Sequence, residues 1–469
     1  MKRTITSLLA LGLVSALTLA CAQEAGDSVL TGGSAGEGPS APLSSDDPAA
    51  VADQAVEDVS AFWDETYPEV YGGPFEPVAG FYPYGPDTEA PPCGIPPPNY
   101  EVIADNAFYC PIDDIIAWDE FSLMPALNDE FGAFTVAIVI AHEFGHAVQE
   151  RFGTNDRTVD LELQADCFAG AWTQRVANGE AEGFAPGDID LDKTVAGMIA
   201  IRDVPGTSPD DPYAHGSGFD RVAAFQDGYE NGAVACAEYA DENVDRRTAE
   251  IEFDIDEFDT GGNFPLEDGP SAPNGEGLLT LLERDLNAFY DTLFAELGDD
   301  YTPVDDLVLV DPGSDAIDCG GETLSGGDLD FAALYCEDEN VVVLDGPGLV
   351  DSLNNDFGDF AVASEIARLW ALAAQIQLGV ADADDANLQA DCLTGVWAAW
   401  TFPTGPAREA QSEVLRMSAG DLDEGIQGFI AYGAGLDDDD LTVFDRTAAL
   451  RTGFFDGYSG CEQDYGSLD

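Results

Sequence analysis

The sequence predicts an α+β fold, rich in helix with a small sheet, written twice in tandem. Three observations predict it. Residues 134–152, FTVAIVIAHEFGHAVQERF, place Phe134, Ala137, Ile138, Ala141, Gly145 and Val148 at spacings of three and four, the period of a helix. Cys93 and Cys110 flank one short strand-like segment. The same pattern then returns 225 to 227 residues later along the chain.

The chain has 469 residues, long for one hydrophobic core and suited to two domains. Apolar residues make up 45%, enough for each half to bury a core. Acids outnumber bases 92 to 16, for a formal charge of -76, and the only lysines are Lys2 and Lys193. Such a surface repels nucleic acid and anionic lipid, which excludes both as partners. It also suits a saline milieu, where salt screens self-repulsion.

Taken in order, residues 1–21 read as a lipoprotein-type signal: Lys2 and Arg3 precede an apolar run from Leu8 to Ala20, and Cys21 follows as the lipidated residue. Simple cleavage after Ala20 is the alternative. Residues 22–50, rich in Gly, Ser, Ala, Pro and acids, read as a tether. The first copy covers 51–245, a linker 246–275, and the second copy 276–469. SAFWD (60–64) returns as NAFYD (287–291), NDEFGAF (128–134) as NNDFGDF (354–360), and FDRVAAFQDGYENGAVAC (219–236) as FDRTAALRTGFFDGYSGC (444–461). LQADC stands at 163–167 and again at 388–392.

Four cysteines occupy the same register in each copy. In an exported chain this reads as two disulfides per copy, Cys93–Cys110 with Cys167–Cys236, and Cys319–Cys336 with Cys392–Cys461. Zinc-binding cysteines are the weaker alternative, since no C-x-x-C pair occurs. Cys21 is the ninth cysteine, left over for lipid.

The chemistry lies in the first copy. His142 and His146, four apart, share one helix face and can meet one metal ion, with Glu143 placed to take a proton from an activated water. A catalytic zinc wants three protein ligands. Glu162, on a second apparent helix (VDLELQADCFAGAWTQRV), is the third after a return turn around 153–157. Asp166, four residues on, can orient a ligand histidine. A solvated helix face is the competing reading of Glu162 and Asp166 taken alone. Histidine is rare here, with only His142, His146 and His215 in the chain. In the second copy His142 becomes Arg368, Glu143 becomes Leu369, His146 becomes Leu372, Glu162 becomes Asn387 and His215 becomes Asp440. Phe131, Gly132, Gln149, Asp166, Gly170 and Trp172 meanwhile persist as Phe357, Gly358, Gln375, Asp391, Gly395 and Trp397. The framework survives and the proposed ligands are lost as a set, so one zinc per chain is expected. The second copy is then a metal-free domain that folds alone, with Leu369 and Leu372 closing the old cleft.

AHEFGHAVQ, ELQADCFAGAW and AHGSGFDR, followed by Phe-x-x-Gly-Tyr, together resemble the putative neutral zinc metallopeptidase family of bacteria, over about 106–236. The resemblance implies a zincin-type fold, with a small sheet over an active-site helix, and peptidase activity. In this reading His142, His146 and Glu162 hold zinc, Glu143 is the general base, and His215, with Tyr213 as second choice, meets the oxyanion. The substrate is then a peptide or protein. The membrane is touched only through the anchor of an exported protein. The rival reading is a non-catalytic surface protein in which zinc is structural.

Overall fold

A computed structural model describes residues 47–153, 158–208, 211, 214–239, 248–249, 251–253, 261–311, 317–324, 332–381, 385–403, 410–432 and 441–468. The Cys21 anchor, Tyr213 and Asp440 lie outside them. Helix α1 (Pro48–Val70) begins three residues before the expected boundary at 51. Asp47 caps it, accepting the Ala49 N–H at 3.3 Å, and Pro48 supplies a preset φ at its first position. Strands β1 (Gly80–Tyr84), β2 (Ala107–Cys110) and β3 (Ile115–Asp119) form a sheet in the order β1-β3-β2, with β1 parallel and β2 antiparallel to β3. Helix α2 (Tyr100–Ile103) is a single turn before β2. After α3 (Leu123–Phe131) come α4 (Ala133–Phe152), α5 (Thr158–Ala177), α6 (Leu191–Ala200) and α7 (Gly218–Cys236).

The second half begins with α8 (Leu278–Leu297). Strands β4 (Asp306–Val310), β7 (Ala333–Cys336) and β8 (Val341–Asp345) pair in the order β4-β8-β7, again one parallel and one antiparallel pair. A hairpin of β5 (Ile317–Cys319) and β6 (Glu322–Leu324) intervenes. Helices α9 (Asp351–Asp356), α10 (Asp359–Leu378), α11 (Ala386–Thr401), α12 (Asp421–Tyr432) and α13 (Val443–Tyr465) complete the chain. The architecture is α+β.

Small residues decide how closely the helices pack. A Cβ on Gly170 would fall 1.9 Å from the Phe225 carbonyl oxygen, and one on Gly228 1.8 Å from that of Cys167. Helices α5 and α7 therefore cross backbone to backbone. Gly395 and Gly453 set the same crossing between α11 and α13. The disulfides Cys167–Cys236 and Cys392–Cys461 clamp these pairs, and Cys93–Cys110 and Cys319–Cys336 clamp the sheet ends, as expected. Phe134 stacks on Trp172, whose indole N–H reaches Asp58 at 2.7 Å; Phe360, Trp397 and Asp285 repeat the arrangement at 2.8 Å.

The halves meet reciprocally. Asp423 on α12 accepts the Gly218 and Phe219 amides at the start of α7, at 3.1 and 2.7 Å. Asp192 on α6 accepts the Phe444 amide at the start of α13, at 3.0 Å. Phe219 packs edge-on against Phe454 at 5.4 Å, and Phe444 against Tyr229 at 5.3 Å. Residues 39–469 form one compact unit, and its largest hydrophobic core draws on both halves. The described part of the linker is pinned rather than free. Ala249 is buried with its amide on Asp220 at 2.7 Å, and the Phe264 amide meets Asp359 at 2.7 Å. Within the stretch read as a linker, 246–275, these amides find partners in both halves, as buried amides must. The boundaries at 245 and 276 stay a reading of the sequence.

Candidate metal centre

Helix α4 is buried along most of its length, including His142 and Glu143. It lies beneath the first sheet, Phe81 of β1 standing 5.6 Å from Phe144. Gly145, between the histidines, lets α5 approach, for a Cβ there would fall 2.7 Å from Ala165 Cα. That approach brings Glu162 onto the histidines. His142 Nε2 is 3.2 Å from one Glu162 oxygen and His146 Nε2 3.4 Å from the other, while the two Nε2 atoms are 3.1 Å apart.

The far side of each ring is fixed. His142 Nδ1 donates to Asp166 Oδ1 at 2.7 Å, and Asp166 in turn takes a two-pronged contact from buried Arg221, at 2.8 and 3.1 Å. His146 Nδ1 donates to Gln149 Oε1 at 2.9 Å. The Gln149 amide is oriented by donating to Gln164 Oε1 at 3.1 Å, and Gln164 donates to the Cys236 carbonyl at 3.0 Å. With both Nδ1 atoms donating, both Nε2 lone pairs face one point beside a carboxylate. Three acceptors around one point call for a cation. Two imidazoles and a carboxylate are a donor set suited to zinc, so the residues fit the metal that the motif implies.

Electrostatics agree. Burial works against a charged His142, yet Asp166 and Glu162 outweigh it and bring its pKa up to about 10. Burial likewise opposes a charged His146, and Glu162 raises it. Burial raises Glu162 too, but the two histidines hold it well below the carboxylate range. Glu143 behaves differently, since burial dominates and pushes it up. Its Oε2 is buried with no hydrogen-bond partner, while the Tyr109 main-chain amide of β2 bonds the carboxylate.

His215 stands outside the trio. Its side chain is 52% exposed, with Nδ1 3.2 Å from Asp203, which also takes the His215 and Gly216 amides. That hydrogen bond raises the His215 pKa against the effect of partial burial, and the Glu162 charge adds to the rise. Gln149 and Arg221 are the functional side chains that the motifs did not single out. Their signal was persistence, as Gln375 and Arg446, in a copy whose ligands had changed.

In the second half the same frame holds a different cation. Arg368 replaces His142, with Nε 3.2 Å from Asp391 and an NH2 group donating to Asn387 at 2.7 Å. Arg446 grips Asp391 at 2.9 and 3.0 Å, as Arg221 grips Asp166. This explains why Asp391 persists with no histidine to orient. Gln375 still donates to Gln389 at 2.8 Å, but its Oε1 is buried and unpartnered, because Leu372 stands where His146 would donate. The old cleft is thus filled by a guanidinium together with buried Leu369 and half-buried Leu372, rather than by apolar groups alone.

Residues 91–239 match the family described as putative neutral zinc metallopeptidase. Rv2575, an uncharacterized protein of Mycobacterium tuberculosis, is 30% identical over 167 residues, covering 30% of this chain and 55% of that protein. The uncharacterized protein YpfJ of Escherichia coli is 31% identical over 153 residues, covering 27% of this chain and 52% of its own. The chain therefore spans about half the length of the curated relatives it matches. No solved structure matches. Over residues 91–239, with its buried pair of histidines facing one glutamate, this chain is similar to the family described as putative neutral zinc metallopeptidase.

Proposed function

We propose that the first half of this chain hydrolyses peptide bonds, with zinc held by His142, His146 and Glu162. The observation that carries the reading is the buried, unpartnered Glu143 Oε2 beside three converging donor groups. A structural metal site has no use for such a base. Zinc bound there supplies the Lewis acidity that makes water nucleophilic near neutral pH, at about pH 7. Glu143 takes the proton of the attacking water and hands it to the leaving amine. Among the described residues β2 pairs only with β3. The Asp119 amide bonds the Asn106 carbonyl at 2.9 Å, so by alternation Ala107 and Tyr109 turn their main-chain groups away from β3. An extended peptide can add along that edge, over the site. His215 on the rim is the candidate donor to the oxyanion. The net charge of -76 favours neutral or basic peptides over acidic ones and leaves nucleic acid out.

Four disulfides support export to an oxidising compartment, with Cys21 as a lipid anchor. The second half serves as a scaffold without peptidase activity, its Asp423 holding the start of the helix that bears Arg221. Glu143→Gln should abolish cleavage of a diverse peptide library while zinc stays at one equivalent per chain. Cleavage that persists in this variant, or in chelator, would overturn the reading.

A further inference from the structure

We propose that Asp359, Asp421 and Glu424 of the second half bind one hard divalent cation of the calcium class. Oxygens of the three carboxylates lie within 4.8 Å of one another, at the starts of α10 and α12. Asp359 is 4% exposed. Its Oδ2 accepts the Phe264 amide at 2.7 Å, but its Oδ1 is buried with no hydrogen-bond partner. Glu424 accepts the Phe360 amide at 3.0 Å, and Asp421 takes the amide and hydroxyl of Ser418 at 2.8 and 2.7 Å. Space is kept for the cluster, since a Cβ on Gly358 would fall 2.1–2.3 Å from the Glu424 carboxylate.

The other half shows what this place looks like without such a cluster. D-L-D-K-T-V-A-G-M-I-A (190–200) matches D-L-D-E-G-I-Q-G-F-I-A (421–431), and Gly197 and Gly428 face corresponding helices, α4 at Thr135 and α10 at Ala361. Asp421 thus corresponds to Asp190, Glu424 to Lys193 and Asp359 to Ala133. In the first half Lys193 pairs with Asp190 at 3.1 Å, one charge of each sign. In the second half the lysine has become a glutamate and the alanine an aspartate. Two differences at one spot have each added a carboxylate, and one of them also removes the lysine. Among the described residues lining the adjoining cleft, Arg416 alone carries positive charge. One guanidinium cannot balance three carboxylates, two of them buried and the third half-buried, so the cluster needs a cation or protons. Three carboxylates with no nitrogen or sulfur donor favour calcium over zinc, water completing the shell. The next residue back, Asp423, caps α7, so a cation here also stiffens the contact between the halves.

The test uses the whole chain, stripped with chelator and reloaded with zinc, in high sodium chloride to suppress loose surface binding. Equilibrium dialysis against calcium should find one more equivalent on the wild type than on the double variant Asp359→Ala/Glu424→Lys, which installs the first half's residues. Zinc content and peptide cleavage should be the same in both. Glu424→Gln, which keeps the size of the side chain, should weaken uptake at least tenfold and serves if the double variant does not fold. Terbium should luminesce on tryptophan excitation through Trp397, which lines the cleft, in the wild type only. Equal calcium uptake by wild type and variants, or none by the wild type, would overturn the site and leave shared protons as what holds the cluster.

Discussion

Asp166 takes an imidazole on one side and a guanidinium on the other, and all three groups are buried. Burial alone would raise its carboxyl, but Arg221 and His142 outweigh that and hold it below the usual range. A depressed native value contributes stability above the unfolded value of about 3.9, lost as pH falls through the native one. Arg221→Ala should therefore cost about 3–5 kcal/mol, since it strands a buried charge. The loss should be full at neutral pH and shrink in acid. Urea unfolding at pH 7 and pH 3 measures it, and an equal loss at both would contradict the assignment. Zinc binding also strengthens as pH rises. His142 and His146 are both raised in the metal-free site, so at neutral pH zinc must displace protons. Affinity measured by competition with a chelator should rise from pH 6 to pH 8. A flat profile would mean the rings are already neutral.

At the scale of elements, the centre is made by α4 and α5 meeting at Gly145 and by α7 delivering Arg221 onto Asp166. The second half keeps each of these parts: α10, α11, α13, the Gln375–Gln389 relay and the Arg446–Asp391 pair. What it lacks is four side chains. Arg368→His, Leu369→Glu, Leu372→His and Asn387→Glu together should raise bound zinc from one to two equivalents per chain, by metal analysis after dialysis. The reason is physical: Asp391 and Gln375 Oε1 already stand where the new Nδ1 atoms would donate. A value that stays at one would mean that the backbone frame has shifted along with the side chains.

Across the whole molecule, each half caps a helix of the other through Asp192 and Asp423, and aromatic rings pack across the junction in matched pairs. Such an arrangement couples the halves. Thermal unfolding followed by calorimetry should show one transition for the intact zinc-loaded chain, shared by both halves. Two separated transitions would mean that the shared core contributes little and that each half stands alone, as the repeat by itself suggested.

The sequence by itself determined the helix that carries His142 and His146, the disulfide partners, the third donor Glu162 and the replacement of those two histidines and that glutamate in the second half. Each is a matter of local spacing or of register between two copies, and both are written along the chain. Only the tertiary structure decided the rest. Gln149 and Arg221 were visible as residues that persist, but their work depends on which ring or carboxylate they meet across 3 and 55 residues of chain. His215 was singled out by rarity, by its replacement in the second copy and by the AHGSGFDR block, and the structure shows it half-exposed on Asp203, outside the trio. That one core draws on both halves was not legible either, because hydrophobic pattern marks which faces are buried and not what buries them.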